Sequence, residues 1–400
     1  MVIGLVGCAT GAGAATGDSG SEASDVSEAD SRTGNANTAE VVAAAEAFLD
    51  TLSEEQRETV VLDYDDEART TGWSNFPTTF VERNGISLAD LDEEQKEAAL
   101  AVMEAALSEQ GYDELLAIQA ADGYLDENQD QSDTDGPQGQ DGQEQRGEEG
   151  EDAAPSDDGE GGPPSEAPDG KGESPEEGGG PGGGAPGELS FGEDQYYLSF
   201  FGEPSETDSF MVQYGGHHLA YNITYSGDDV TLSPSLTGTE PLEFDYRGES
   251  YEPLADKREA ALGAVRSLDQ EQLAEAEIDN SSNDLVLGPG EGGPFPEEEG
   301  LLVSDLSQEQ QDQVTAMLRA WVGDLDEEAA EALVEQYVSE YHQTYLSWSG
   351  STGADDVETY IRLDGPSAWI EFSNQPGVET SKVHEHTMFR DQNADYGWDD

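Results

Sequence analysis

The chain predicts an α+β protein of two duplicated halves, each a set of helical hairpins followed by a small antiparallel sheet, with a long disordered acidic insertion in the first half. Three observations carry that prediction. Four segments share one helix-start pattern, an apolar Leu, then Ser or Asp, two mostly acidic positions and Gln: Leu52-Ser53-Glu54-Glu55-Gln56, Leu91-Asp92-Glu93-Glu94-Gln95, Leu268-Asp269-Gln270-Glu271-Gln272 and Leu306-Ser307-Gln308-Glu309-Gln310. The first pair is spaced much like the second, and each leads into strand-like sequence with a matching start, Tyr197-Leu198-Ser199 and Tyr345-Leu346-Ser347. A Gly-kinked hairpin then follows in each, at Gly215-Gly216 and at Gly365-Pro366. Taken one at a time, the helix starts are common capping-box chemistry. Their shared order and spacing point to duplication with a pseudo-twofold.

In chain order, residues 1–8 form a short apolar run ending Leu5-Val6-Gly7-Cys8, and Cys8 is the only cysteine. That ending resembles a bacterial lipobox, so Cys8 is the expected lipidation site and the chain is expected outside the cytoplasm, anchored at the cell surface. Residues 9–37 are small, polar and acidic without apolar periodicity, the signature of a disordered tether. Val41, Val42, Ala45, Phe48, Leu49 and Leu52 recur at helical spacing and open the helical part of half one, 38–125. Within it, Thr71-Gly72-Trp73-Ser74-Asn75-Phe76-Pro77 reads as an ordered loop carrying aromatics. Residues 126–187 are Gly, Pro, Glu, Asp, Ser and Gln with almost no aliphatics; they cannot bury enough apolar surface to offset ordering entropy. Aromatic and β-branched runs divided by Gly, Asp and Pro predict the strands of half one in 188–250. Helical patterns return over 251–345, and strands close the chain over 346–400, ending with Val383 to Arg390.

Acidic residues number 91 against 15 basic ones, a net charge of -76. Such a chain repels nucleic acid and anionic membrane surfaces, which leaves a lipid anchor as the expected membrane contact and a small molecule or glycan as the expected ligand class. The composition also suits a salt-rich milieu, where screening relieves self-repulsion. A single Cys allows no intrachain disulfide.

The blocks Phe200-Phe201-Gly202-Glu203-Pro204, Gly215-Gly216-His217-His218-Leu219 and Val383-His384-Glu385-His386-Thr387-Met388-Phe389-Arg390-Asp391 resemble those of an uncharacterised bacterial family, domain of unknown function 3500. The resemblance runs from about Ala43 to Asp400. It implies an order of blocks and no mechanism.

The five histidines hold the functional signal. His384 and His386 stand at i, i+2, which in a strand puts both imidazoles and Met388 on one face. His217 and His218 replace Ser367-Ala368 of the other hairpin, so the hairpin itself does not need them. His217 and His218 lie in an apolar, strand-like run, so as neighbours they are expected to point to opposite faces and only one to ligate. Together these blocks predict a metal site of His384, His386 and His218, with His217 as the alternative ligand. Neutral imidazole suits zinc, copper, iron or nickel, and Met388 would tilt the choice to copper. The candidate catalytic residues are Glu371 or Asp391 as base or further ligand, Glu385 facing away, and Arg390 as salt-bridge partner or carboxylate anchor. His342 reads as a helix C-terminal partner. Two functions follow: a metal-dependent enzyme, oxidoreductase or hydrolase, or a non-catalytic envelope protein that binds a metal, a glycan or a protein partner. The bland alternative is that the histidines hydrogen-bond carboxylates such as Glu385, Asp391 and Asp395.

Overall fold

The computed structural model describes residues 32–132, 191–279, 284–290, 294–354, 356–380 and 383–398. The expected lipobox with Cys8, most of the expected tether and residues 133–187 of the acidic insertion lie outside them. The described part of the tether, 32–37, docks on the protein: Arg32 pairs with Asp229 at 2.9 Å and the Ala36 amide donates to the Asp228 carbonyl.

The N-terminal helices are α1 (Thr38–Thr51), α2 (Glu54–Val60), α3 (Ala68–Thr71), α4 (Glu93–Ala106) and α5 (Glu109–Ser132), and the C-terminal ones are α6 (Ala255–Arg266), α7 (Gln270–Ala276), α8 (Gln308–Val322) and α9 (Glu327–Ser339). All four helix-start patterns form reciprocal capping boxes, Ser53 with Gln56, Asp92 with Gln95, Asp269 with Gln272 and Ser307 with Gln310. Each box satisfies two otherwise orphaned amides at a helix N-terminus. The Gln side chains do further work between helices. Gln95 donates to the Thr51 carbonyl and to Gln56, at 3.0 and 3.2 Å; Gln310 donates to the Ser267 carbonyl and to Gln272, at 3.0 and 2.7 Å. No described helix is long and apolar enough to cross a membrane.

The strands are β1 (Val61–Leu62), β2 (Ile86–Ser87), β3 (Tyr197–Phe201), β4 (Phe210–Gly215), β5 (Leu219–Ser226), β6 (Asp229–Thr231), β7 (Ser235–Thr239), β8 (Phe244–Tyr246), β9 (Glu249–Tyr251), β10 (Leu301–Leu302), β11 (Tyr345–Gly350), β12 (Thr359–Asp364), β13 (Ala368–Pro376) and β14 (Val383–Asp391). The two small sheets expected from sequence are instead one mixed sheet of twelve strands, ordered β1-β3-β4-β5-β7-β14-β13-β12-β11-β10, with β2 on β3 and β6 on β5. Only β1 and β3 run parallel among its pairs. The join is the antiparallel pairing of β7 with β14, where Thr237 faces Thr387 and their hydroxyls are 2.9 Å apart. Strands β8 and β9 make a separate hairpin.

Alternation along β14 divides its two faces. Glu385, Thr387, Phe389 and Asp391 meet the helical layer: Arg258 of α6 pairs with Glu385 at 3.1 Å, Trp321 of α8 donates to Thr387 and Tyr337 of α9 donates to Asp391. The main core lies on that side, where Ile361, Leu363, Ile370, Phe372 and Phe389 join Val265, Leu318, Trp321 and Leu333. His384, His386, Met388 and Arg390 face the other way. Apart from the single-turn α3, long loops cover them, 63–85 after β1 and the described parts of 284–300 before β10, as when Trp73 packs on Met388, Ala220 and Leu236.

Candidate metal centre

His384 and His386 owe their common orientation to the two-residue period of β14, and their Nε2 atoms stand 2.9 Å apart. His218 reaches them from the turn that joins β4 to β5. Its backbone takes φ 60°, a left-handed conformation uncommon for a non-glycine residue. The turn is held there by bonds on both sides: the His218 amide donates to the Asn75 carbonyl at 3.3 Å, and the Gly238 amide donates to the His218 carbonyl at 2.7 Å. Gly238 on β7 also leaves room for the rings. A Cβ there would come within 2.9 Å of His386 Cδ2 and 3.1 Å of His218 Cδ2. One ligand-type nitrogen from each of His218, His384 and His386 lies within 4.8 Å of the other two.

Outer contacts orient the rings. His386 Nδ1 sits 2.9 Å from each carboxylate oxygen of Asp284; His384 Nδ1 sits 3.3 Å from the Pro376 carbonyl and 3.8 Å from Glu240. Such partners on Nδ1 leave Nε2 as the free lone pair, the arrangement found around metal-bound imidazoles. The His218 ring has no hydrogen-bond partner among the described residues. All three side chains are at least nine-tenths buried, with residue exposures of 4, 7 and 5 % for His218, His384 and His386. Burial first, and the neighbouring imidazoles second, push the His218 pKa well below its ordinary value, and the same causes bring His384 down to about 4. Both are therefore neutral at pH 7, the form that binds a metal.

The remaining sequence-derived candidates are distributed differently. His217 and His218 do not point to opposite faces, because they lie in a turn and not in a strand; their rings stack with centroids 3.7 Å apart. His217 Nδ1 is 2.7 Å from Asp122 Oδ1 on α5. Glu371 shares the histidine face, but its carboxylate accepts from the Val286 and Leu287 amides, Tyr360 and Trp369, so it anchors the covering loop. Asp391 is on the helix face, where it accepts from Tyr337, and the sheet separates it from the histidines. Arg390 pairs with Asp395 and lies against Phe295 and Tyr396. Met388 is fully buried among Trp73, Ala220 and Leu236. His342 is exposed just beyond α9, its Nδ1 3.1 Å from the Ser339 carbonyl.

Sequence reasoning missed Asp284, Glu240, Asn75 and Asp122. Three are carboxylates among 91 acidic residues and carry no distinguishing signal. Asn75, whose side chain lies 3.5 Å from His386 Nε2, sits in the aromatic loop that did read as ordered.

The fold and this cluster define an α+β protein with one helix-covered sheet face and a buried imidazole cluster on the other. The family model for a protein of unknown function, DUF3500, matches residues 34–398. The chain belongs to that family, as its blocks imply. No curated protein and no solved structure matches it.

Proposed function

We propose that the chain is an extracytoplasmic lipoprotein, anchored through Cys8, that holds one transition-metal ion on His218, His384 and His386 and works as a metal-dependent enzyme. The observation that carries the reading is the convergence of three buried imidazoles, two with Nδ1 tied to oxygen acceptors and the third with an unpartnered ring. An all-imidazole set fits zinc, copper or iron. Three protein ligands would leave a position for water or substrate, which suits hydrolase or oxidoreductase chemistry according to the ion. Glu240 and Asp284 face the imidazoles and orient the rings, whereas Glu371 and Asp391 bond elsewhere. The narrow exposure of the cluster favours a second reading, a non-catalytic metal-binding envelope protein.

The two halves are, on this reading, products of a duplication to which the histidines were added. Supporting it are the strand order about β7 and β14, the paired capping boxes with their Gln-to-Gln bonds, and the antiparallel bridge of Leu107 with Leu325. A further equivalence is chemical: Asp122 of α5 meets His217, and Glu340, just past α9, meets Ser367 in the corresponding turn at 2.7 Å.

Elemental analysis of the full chain, purified without a His tag, tests the centre. Wild type should carry about one or more transition-metal ions, and the His384→Ala/His386→Ala variant should lose that ion with an unchanged circular dichroism spectrum. Absence of metal in wild type, even after exposure to zinc, copper and iron, rejects the centre. With cobalt bound, a visible-spectrum shift on adding azide would reveal an exchangeable position and support an enzyme; no shift would support the binding protein.

A further inference from the structure

We propose a second metal position beside the first, formed by Asp122, His217 and His218, so that His218 is shared between two ions. The inference rests on the reading of His218 as a ligand of the proposed centre. Asp122, His217 and His218 each offer a ligand-type atom within 4.8 Å of the other two, and they are 1, 7 and 4 % exposed. The carboxylate is built into place: Tyr196 donates to Asp122 Oδ2 at 2.8 Å, leaving Oδ1 directed at His217 Nδ1, 2.7 Å away. Phe191 packs on the His217 ring with centroids 4.9 Å apart and shields it from solvent.

What the local fold requires here is known from the corresponding turn. There, Ser367 donates to Glu340 through both its amide and its hydroxyl, at 3.2 and 2.7 Å. A small hydroxyl thus suffices to tie the helix to the turn. Two stacked imidazoles on a backbone at φ 60° exceed that requirement and add nitrogen donors. A metal between Asp122 and His217 would replace their hydrogen bond with two coordinate bonds, the Nδ1 proton moving to Nε2 and the two ligand atoms parting by about half an ångström to reach a tetrahedral zinc. His218 carries two ring nitrogens, which gives it one to offer to each group. Bridging through both requires its remaining ring proton to leave to solvent as the second ion binds. An N,N,O donor set of this kind takes a borderline divalent ion such as zinc or copper.

The test titrates the chelator-stripped, tag-free full chain with zinc and counts bound ions by calorimetry and elemental analysis. Two per chain are expected in wild type. His217→Ser, which restores the residue type of the corresponding turn, should bind one, and Asp122→Asn serves as a second variant if the first does not fold. With copper, the paramagnetic resonance signal per ion should weaken in doubly loaded wild type through coupling across His218, and return to full single-ion intensity in His217→Ser. Saturation of wild type by one ion overturns the second position and leaves the first standing. Retention of two ions by His217→Ser overturns it as well. Loss of every ion in that variant would make His217 a ligand of the first centre, again against this proposal. No binding at all would reject both centres together.

Discussion

At the scale of single residues, the sequence made His384 and His386 legible because the side-chain period of a strand is two and nothing else competes with it. It misplaced His217 and His218 because Gly215-Gly216 turns the chain before them, and the left-handed backbone of His218 has no marker in residue type. Asp364 could not have been singled out among so many acids, yet it gives a sharp pH prediction. It lies at the end of β12, fully buried, 3.3 Å from Arg362. Burial, opposed in part by Arg362, pushes its carboxyl up to about 7. Unfolded, it titrates near its ordinary value of 3.8, so between about pH 4 and 7 the native state binds the proton more tightly. The contribution of Asp364 is therefore fully present below its unfolded pKa and is lost as pH rises through the folded one. Asp364→Asn should flatten that fall, which a rise from 3.8 to about 7 puts on the order of 4 kcal/mol, read from urea midpoints at pH 4 and pH 8 in chelator-treated protein. Equal slopes in wild type and variant would remove Asp364 from the account.

At the scale of elements, the four capping boxes were readable because every atom involved lies within four residues. Strand β7 was not. Ser235-Leu236-Thr237-Gly238-Thr239 has neither an apolar run nor a clean alternation, and it becomes a strand because β5 and β14 supply partners on both sides. The two-residue strands β1, β2 and β10 are likewise made by their neighbours. Below β7, on the helix side, the elements meet at Lys257, one of only four lysines. This α6 side chain is buried and contacts Glu114 of α5 at 2.5 Å, Asp324 of the α8–α9 connection at 2.7 Å and Thr237 at 3.3 Å. Tyr221 adds a bond to Asp324 at 3.2 Å. Burial raises the pKa of Glu114 against the pull of Lys257, which lets the group approach neutrality by holding one proton. Removing the cation would leave Asp324 buried without compensation. Lys257→Met should destabilise the fold by about 3–5 kcal/mol, measured by chemical denaturation. An unchanged midpoint would show that the cluster contributes nothing across these elements.

At the scale of the whole molecule, the mixed α+β class was legible from alternating blocks of helix and strand pattern, while the single sheet was not, since its join is a pairing of distant segments. A net charge of -76 sets the solution behaviour. Self-repulsion disfavours the compact state, and screening relieves it as the Debye length falls from about 10 Å at 0.1 M salt to about 3 Å at 1 M. The unfolding midpoint should rise over that range in sodium chloride, by at least about 1 kcal/mol of stability; a flat or falling response would assign the acidity to solubility alone. The β7–β14 join has one more consequence, in time rather than in space. Thr237 and Thr387 are 150 residues apart in the chain, and closing so long a loop is slow and entropically costly before its contacts repay it. His218 belongs to one side of that join and His384 and His386 to the other. The imidazole trio therefore does not exist in any chain whose centre is still open, and capture of an ion would mark the completion of folding as a late, concerted event.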